Sequence, residues 1–102
     1  MAYASETRFE WDAAKERVNV AKHGVTFSEA LELLTSGQDF LEICDADHSV
    51  EEDRLIAIGP IRRGIIVVVF TERAEDTVRI ISARLATVRE RALYLEAMEK
   101  NE

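Results

Sequence analysis

The sequence predicts a single α+β domain with two N-terminal helices, an antiparallel meander sheet of three to four strands, and a C-terminal helix. Apolar residues recur at helical spacing over residues 12–36. Three strand-like segments joined by short turns occupy residues 54–84, and a helix-capping sequence follows at Thr87. A chain of 102 residues suits one hydrophobic core, so residues 1–102 are expected to form one domain.

The first two helices are indicated by their capping residues. Asp12 is suited to accept hydrogen bonds from the first amides of one helix, and Gly24 is suited to end it. Thr26 and Glu29 then form a capping box that opens a second helix. The apolar stripe expected to face the core from the first helix consists of Ala14, Val18, Ala21 and Val25.

The sheet is predicted from residues 54–59, 65–71 and 77–84, with residues 40–43 as a possible fourth strand. Short turns between the three main segments require antiparallel pairing. Residues 65–70 are apolar at every position, which predicts that both faces of the sheet are covered. The cover is supplied either by the chain's own helices or by a partner protein, since an open apolar face is a recognition surface.

A second capping box, Thr87 with Glu90, opens the last helix. Its predicted inward residues are Val88, Ala92, Leu95 and Met98. Arg89 and Arg91 in its first turn oppose the helix dipole, which suggests a compensating anion. A bound phosphate fits this role, and Glu90 is the alternative.

Composition limits the classes of function. The chain has a net charge of −7, one cysteine and no apolar run long enough to span a membrane, so we expect a cytoplasmic protein without disulfide, metal or cofactor. Eight arginines and only four carboxylates lie between residues 54 and 91, whereas residues 28–53 hold nine carboxylates and no lysine or arginine. Guanidinium groups bind phosphate and carboxylate in a bidentate manner, so this block predicts a local anion site.

The strand pairs, counted outward from the predicted turns, divide the arginines between two sites. The expected pairs are Thr71 with Thr77, Val69 with Arg79, Leu55 with about Val69, and Arg84 with about Gly64. One site then contains Arg54, Arg73 and Arg79, with Glu72 beside them and the loop bearing His48 and Glu52 nearby. The other contains Arg84, Arg62 and Arg63 at the start of the last helix.

A set of short phrases, in order, resembles the BrnT family of bacterial type II toxins. The phrases are Phe9-Glu10-Trp11-Asp12, Lys22-His23-Gly24-Val25, Asp45-x-x-His48-Ser49, Glu52-x-Arg54, Val69-Phe70-Thr71-Glu72-Arg73 and Arg79-Ile80-Ile81-Ser82-Ala83-Arg84 with Arg89-Glu90-Arg91. The resemblance implies a RelE-like fold, cleavage of RNA, and neutralisation by a BrnA antitoxin with a ribbon-helix-helix DNA-binding domain. The toxin would reach operator DNA only through that antitoxin.

Metal-independent RNA cleavage needs a base for the ribose 2′-hydroxyl, donors for the charged phosphorane and an acid for the leaving oxygen. The phosphate-contact candidates are Arg54, Arg73, Arg79 and Arg84, and the proton-transfer candidates are His48, Glu52 and Glu72. Further RNA contacts are assigned to Arg62, Arg63, Arg89 and Arg91. For each arginine the alternative is an ion pair with a carboxylate of its own chain.

Two functions therefore remain open. The first is a ribonuclease toxin neutralised by an antitoxin. The second is a non-catalytic module that docks the antitoxin and acts as a co-repressor, its arginines meeting carboxylates of the partner.

Overall fold

The fold is described from a computed structural model that covers residues 6–44, 54–74 and 76–100 of the chain. Within these ranges the helices are α1 Ala13–His23, α2 Phe27–Thr35 and α3 Val88–Lys100. The strands are β1 Arg8–Glu10, β2 Leu41–Cys44, β3 Arg54–Ile61, β4 Gly64–Arg73 and β5 Thr77–Leu85. The predicted α+β class and the predicted order of the helices are confirmed.

The sheet differs from the prediction in strand number and in direction. Across the described ranges it has five strands in the order β1-β5-β4-β3-β2, and β1 pairs in parallel with β5 while the other pairs are antiparallel. The predicted three- to four-stranded antiparallel sheet was therefore wrong in this respect. Since β1 and β5 are far apart in the sequence, no local turn signal reveals that they pair.

The turn between β4 and β5 is shorter than predicted, which moves the register. Arg73 pairs with Thr77, so Thr71 pairs with Arg79. The predicted pairing of Thr71 with Thr77 was wrong by two residues, and that of Val69 with Arg79 by three, since Val69 pairs with Ser82. Because both strands extend further into the turn, the arginines shift relative to one another along the sheet.

A β-bulge interrupts the pairing of β4 with β5. Val69 pairs with Ser82 and Phe70 with Ile80, which leaves Ile81 as the extra residue. Beyond the bulge Arg84 pairs with Val67, three residues from the predicted Gly64. On the other side of β4 the register is close to the prediction, since Leu55 pairs with Phe70 and not with Val69.

One face of the sheet, here called the first face, carries the main core beneath α2. Its buried residues are Val25, Phe27, Ala30, Leu33, Leu34, Phe40, Ala57, Ile66, Val68, Phe70, Val78, Ile80 and Ala83. Trp11 packs against this core and meets Phe27 edge-to-face, with ring centroids 6.1 Å apart. The core fixes which side chains point to the opposite face, because side chains alternate along each strand.

The opposite face, here called the second face, is partly covered by α3. Ile58 and Val67 lie on it at 2% exposure, so β4 is buried on both sides. The helix contacts β3 and β2, which shows that the chain supplies part of the predicted second cover itself.

The helical stripes predicted from apolar spacing do not match the buried faces. In α3, Val88 is 80% and Leu95 54% exposed, and the half-buried side is formed by Glu90, Tyr94, Ala97 and Met98. Of the residues predicted to face inward from the first helix, Ala14, Val18 and Ala21 are exposed, and Val25, just after α1, is buried as predicted. Within α1 the buried residue is Asn19. Polar contacts of Glu90 and Asn19, described below, set the rotation of both helices.

The predicted caps are confirmed. The Asp12 carboxylate accepts a hydrogen bond from the Lys15 amide, and Gly24 has a left-handed φ of 71° that ends α1. Both hydrogen bonds of the Thr26–Glu29 capping box are present at the start of α2. In the described part of the chain, no helix has the length and apolar character needed to cross a membrane.

Candidate anion-binding site

The second face brings together arginines from separate strands. Arg54 in β3 pairs with Thr71 in β4, and Thr71 pairs with Arg79 in β5. Their neighbours Leu55, Phe70 and Ile80 belong to the first-face core, so alternation directs Arg54, Thr71 and Arg79 to the second face. The three residues form one row across the sheet, at the end where the sequence predicted the two arginines.

Arg73 lies one step further along the same face. It is two residues from Thr71 on β4, or roughly 7 Å, and neighbouring strands are about 4.8 Å apart. The three arginines Arg54, Arg73 and Arg79, here called the arginine cluster, therefore have Cα atoms within roughly 12 Å of one another. Guanidinium groups on side chains of this length can converge on one anion.

Parallel pairing of β1 brings two further charges to this end of the sheet. Arg8 pairs with Thr77, and Glu10 pairs with Arg79. Glu10 Oε2 accepts a hydrogen bond from Arg79 Nη1 at 2.7 Å, with the two side chains 46% and 30% exposed. The contribution of Glu10 to this site was not predicted, because the parallel partner of a three-residue strand leaves no local signal in the sequence.

Thr71 is unusual within this row. Thr71 is only 2% exposed, and its Oγ1 is a buried oxygen without a hydrogen-bond partner among the described residues. An unsatisfied buried hydroxyl costs about 1–3 kcal/mol. The floor of the arginine cluster therefore holds a hydroxyl that remains able to donate one hydrogen bond and to accept others.

Arg84 lies on the second face beside α3, four residues of β4 away from the row of Thr71. Its Nη1 and Nη2 atoms each lie 2.7 Å from one carboxylate oxygen of Glu90. Glu90 also accepts from the Thr87 amide and completes the predicted capping box. The bidentate bond to Arg84, together with that amide and despite partial burial, lowers the pKa of Glu90 to about 2.

The Arg84–Glu90 pair bears on the anion that was expected to compensate Arg89 and Arg91 at the start of α3. Glu90 supplies an anion in the first turn, which was the alternative to a bound phosphate. Arg84 is thus engaged within its own molecule and joins α3 to the sheet.

Comparison with known proteins agrees with the resemblance seen in the sequence. A family model described as the ribonuclease toxin BrnT of type II toxin–antitoxin systems matches residues 11–90, which is well over half of the chain. The chain belongs to the BrnT family of ribonuclease toxins. A crystal structure of the BrnT ribonuclease toxin of Brucella abortus is similar in fold, with a TM-score of 0.60 and 29% sequence identity. That match covers 79% of this chain and 97% of the Brucella chain. No curated protein sequence matches this chain significantly.

The matched region of this BrnT-family chain contains the whole arginine cluster, Arg84 and Glu90. Arg8 and Glu10 lie outside it. The cluster is therefore part of the family domain, while the ion pair of Glu10 with Arg79 is built from a segment that precedes the matched residues.

The turn that carries Arg62 and Arg63, both assigned to RNA binding, does not join Arg84. Arg63 forms two hydrogen bonds to Glu29, at 2.7 and 3.1 Å, and a third to the carbonyl of Gly24 at 2.8 Å. These contacts hold it against α2 on the first-face side, so the predicted grouping of Arg62 and Arg63 with Arg84 was wrong. The Arg62 amide likewise bonds Glu32 of α2. The carboxylates of α2 attract this turn toward the core side of the sheet.

The remaining candidates differ in what the structure describes. Arg89 and Arg91 are exposed in the first turn of α3. Glu72 pairs with Val78, a core residue, so alternation directs it to the face opposite Arg73. His48 and Glu52 lie outside the described residues.

Proposed function

We propose that this BrnT-family chain cleaves RNA without a metal ion and that the arginine cluster binds the scissile phosphate. The observation that carries the proposal is the placement of three arginines from three strands on one end of the second face. Arginine is permanently charged and its planar group matches phosphate geometry. Such donors stabilise the charge that develops on the phosphorane, which is where preorganised groups act most strongly.

The proton-transfer groups are proposed from chain connectivity. Glu52 is two residues before Arg54, so a fully extended backbone keeps their Cα atoms within about 7 Å. His48 is four residues after Cys44, whose strand ends beside Leu55 at the same end of the sheet. A histidine titrates near neutral pH, and a carboxylate next to arginines stays ionised as a base. We therefore assign proton transfer at a phosphate held by the cluster to one of these two residues.

Glu72 is the weaker candidate for the base, because strand alternation directs it away from the face that carries the cluster. Arg84 is proposed to act by holding α3 and the sheet together through Glu90, and not by contacting phosphate. Outer contacts for RNA, outside the catalytic row, are assigned to Arg62, Arg63, Arg89 and Arg91.

We also propose a RelE-like arrangement, a cytoplasmic location, and a BrnA-like ribbon-helix-helix antitoxin as the partner. Exposed apolar side chains at the start of α3 and on the strand before it support a protein partner. They are Leu85 at 50% exposure, Val88 at 80%, Leu93 at 45% and Leu95 at 54%. An apolar surface of this kind favours protein association. Operator DNA would be reached through the antitoxin, since the net charge of −7 opposes direct binding.

The alternative function is a non-catalytic docking module that serves as a co-repressor. The observation that favours it is the engagement of Arg79 by Glu10 and of Arg84 by Glu90, because guanidinium groups held by carboxylates are less available to phosphate. The same net charge also weakens general attraction to RNA.

A cleavage assay with the isolated chain separates the two functions. Purified protein is incubated with total RNA in the presence of EDTA, alone and with the antitoxin. A ribonuclease cleaves RNA in EDTA and stops when the antitoxin is added, and its expression alone arrests growth. A chain that leaves RNA intact in every buffer, while still binding the antitoxin, is the docking module.

A further inference from the structure

A groove lies between α1 and β5, next to the arginine cluster but separate from it. Its volume is about 380 Å³, within the range of roughly 300–1,000 Å³ typical of ligand sites. Ala14 and Val18 of α1 and Ile81 of the β5 bulge form its apolar floor. Val18 is 65% exposed, so the stripe that sequence spacing assigned to the core is in fact open to solvent.

A polar contact keeps this stripe outside. The buried side chain of Asn19 donates to the carbonyls of Ala83 and Val25, both at 2.8 Å, and accepts from the Ala83 amide at 3.1 Å. The Asn19 side chain therefore bonds both the carbonyl and the amide of Ala83, at a part of the β5 edge that β1 does not reach. It takes the place of the backbone of a neighbouring strand. The helix is held with Asn19 inward, which turns Val18 to the surface.

The charge of the groove is opposite to that of the chain. Lys15 and Lys22 line it, and none of the described residues that line it is a carboxylate. The chain as a whole has 20 acidic and 13 basic residues, so two lysines without an acid form a local positive site. The two lysines lie seven residues apart on α1, or about 10 Å along its axis. That spacing suits a chain of phosphates better than a single anion.

A second groove on the same helix provides a contrast. It is of similar size, about 420 Å³, and is lined by Glu16, Arg17, Val20, Ala21 and Thr26. The negative charge of Glu16 and the positive charge of Arg17 cancel, so the described lining of this groove has no net charge. Apolar volume is therefore common to both sides of α1, whereas the described lining of the groove that faces β5 has lysines without a carboxylate.

The groove also adjoins the arginine cluster along β5. Ile81 and Ser82 follow Arg79 along β5, at roughly 3.3 Å per residue. Asp12 is near one cation of each region: its pKa is lowered mainly by the backbone hydrogen bond from Lys15, and the charges of Lys15 and Arg79 lower it further. Both cations are thus close to one carboxylate.

We infer that this groove binds the single-stranded RNA that flanks the cleaved bond, with Lys15 and Lys22 contacting its phosphates and the apolar floor contacting a base. The inference rests on the proposed ribonuclease function and extends it to the substrate's path. RNA running from the arginine cluster along β5 enters the groove over Ser82.

The test is the salt dependence of RNA binding by the full chain. The probe is a mixed-sequence oligoribonucleotide with 2′-O-methyl groups, which removes the nucleophile for cleavage. Fluorescence anisotropy gives Kd over a range of KCl concentrations for wild type and for Lys15→Ala/Lys22→Ala. Each lost phosphate contact reduces the slope of log K against log salt by about 0.7, so the double variant is expected to lose about 1.4. At 0.1 M salt this corresponds to roughly 25-fold weaker binding.

Two control variants separate the groove from general charge. Arg17→Ala removes one positive charge from the opposite side of the same helix, and it is expected to leave slope and affinity unchanged. Lys15→Arg/Lys22→Arg retains both charges and is expected to keep the wild-type slope. Thermal unfolding of each variant confirms that it is folded.

Several results overturn the inference. The first is that the wild-type protein does not bind the probe. The second is that Lys15→Ala/Lys22→Ala keeps the wild-type slope. The third is that Arg17→Ala weakens binding as much as Lys15→Ala/Lys22→Ala does. Loss of antitoxin binding with RNA binding intact assigns the groove to the protein partner instead. Cleavage of unmodified RNA is measured in parallel: if wild type cleaves while the double variant binds normally, the groove assignment alone fails. If wild type does not cleave, the proposed ribonuclease function fails as well.

Discussion

The buried amide of Asn19 provides the sharpest test of how α1 is fixed to the sheet. Asn19 is 6% exposed and makes three hydrogen bonds to the backbone of Val25 and Ala83. Asn19→Ala removes all three and leaves two carbonyls and one amide without this partner. A net hydrogen bond contributes about 1 kcal/mol and an unsatisfied buried group costs about 1–3 kcal/mol, so the loss is expected to be about 3–5 kcal/mol.

That loss is a large fraction of the stability of a domain of this size, which is typically about 5–15 kcal/mol. The midpoint of thermal unfolding should fall by roughly 12–40 °C, since each kcal/mol shifts it by about 4–8 °C in small domains. Urea unfolding followed by circular dichroism measures the free energy directly. Arg17→Ala, on the exposed side of α1, is the control and should stay within about 0.5 kcal/mol of wild type.

Asn19→Asp tests the direction of the hydrogen bonds. A carboxylate cannot donate to the two carbonyls that lie 2.8 Å from the Asn19 amide nitrogen, and it would repel them. This variant should be at least as unstable as Asn19→Ala at pH 7. Because burial beside two carbonyls raises the pKa of the introduced carboxyl in the folded state, the variant should recover part of the difference from wild type as the pH falls from 7 toward about 4, where the carboxyl of the unfolded chain is protonated as well and the recovery is complete. An Asn19→Ala variant within 1 kcal/mol of wild type would refute the account of α1.

Two further predictions concern the sheet and α3. Glu90→Gln should reduce the free energy of unfolding by about 1–2 kcal/mol at pH 7, a value discounted for the partial exposure of the Arg84–Glu90 pair. Because the folded pKa of Glu90 is depressed to about 2 from 4.5, this contribution is full above pH 4.5 and is lost as the pH falls toward 2. Urea unfolding at pH 7 and pH 2.5 measures it, and an equal difference between wild type and variant at both values contradicts the prediction. Gly59→Ala should destabilise by about 1–3 kcal/mol, because its Cβ would lie 2.7 Å from Leu33 Cδ1 and 2.8 Å from Phe40 Cβ. An unchanged unfolding midpoint for Gly59→Ala would show that the close approach of α2 to β3 is not as described.

Local signals predicted the helix boundaries well. Asp12, Thr26 and Thr87 cap helices as expected, because capping depends on residues three or four positions apart and is visible in any short window. The central meander was predicted for the same reason, since its turns are short.

The rotation of the helices was not predictable from apolar spacing. A polar residue, Asn19, binds the free edge of β5, and this outweighs the preference of Val18 for burial. In α3 the pair of Arg84 with Glu90 determines which side faces the sheet. Both interactions join residues whose approach follows from tertiary structure, so periodicity within one helix gave the wrong face.

The candidate site was predictable in part. Placement of Arg54, Arg73 and Arg79 at one end of the sheet followed from the meander, although the bulge at Ile81 and the shorter turn changed the pairs. The Glu10–Arg79 pair depended on a parallel strand that no sequence signal indicated. The roles of His48, Glu52 and the arginines in cleavage stay predictions.

The rate of RNA cleavage by Arg54→Ala and Arg73→Ala tests the central proposal most directly. Single-turnover cleavage in EDTA is compared for wild type, these two variants and Arg17→Ala, with folding checked by thermal unfolding. Loss of one donor to the transition state should lower the rate about 100- to 1,000-fold, while Arg17→Ala cleaves like wild type. Wild-type cleavage rates for both folded variants of the arginine cluster would contradict the proposal that this end of the sheet binds the scissile phosphate.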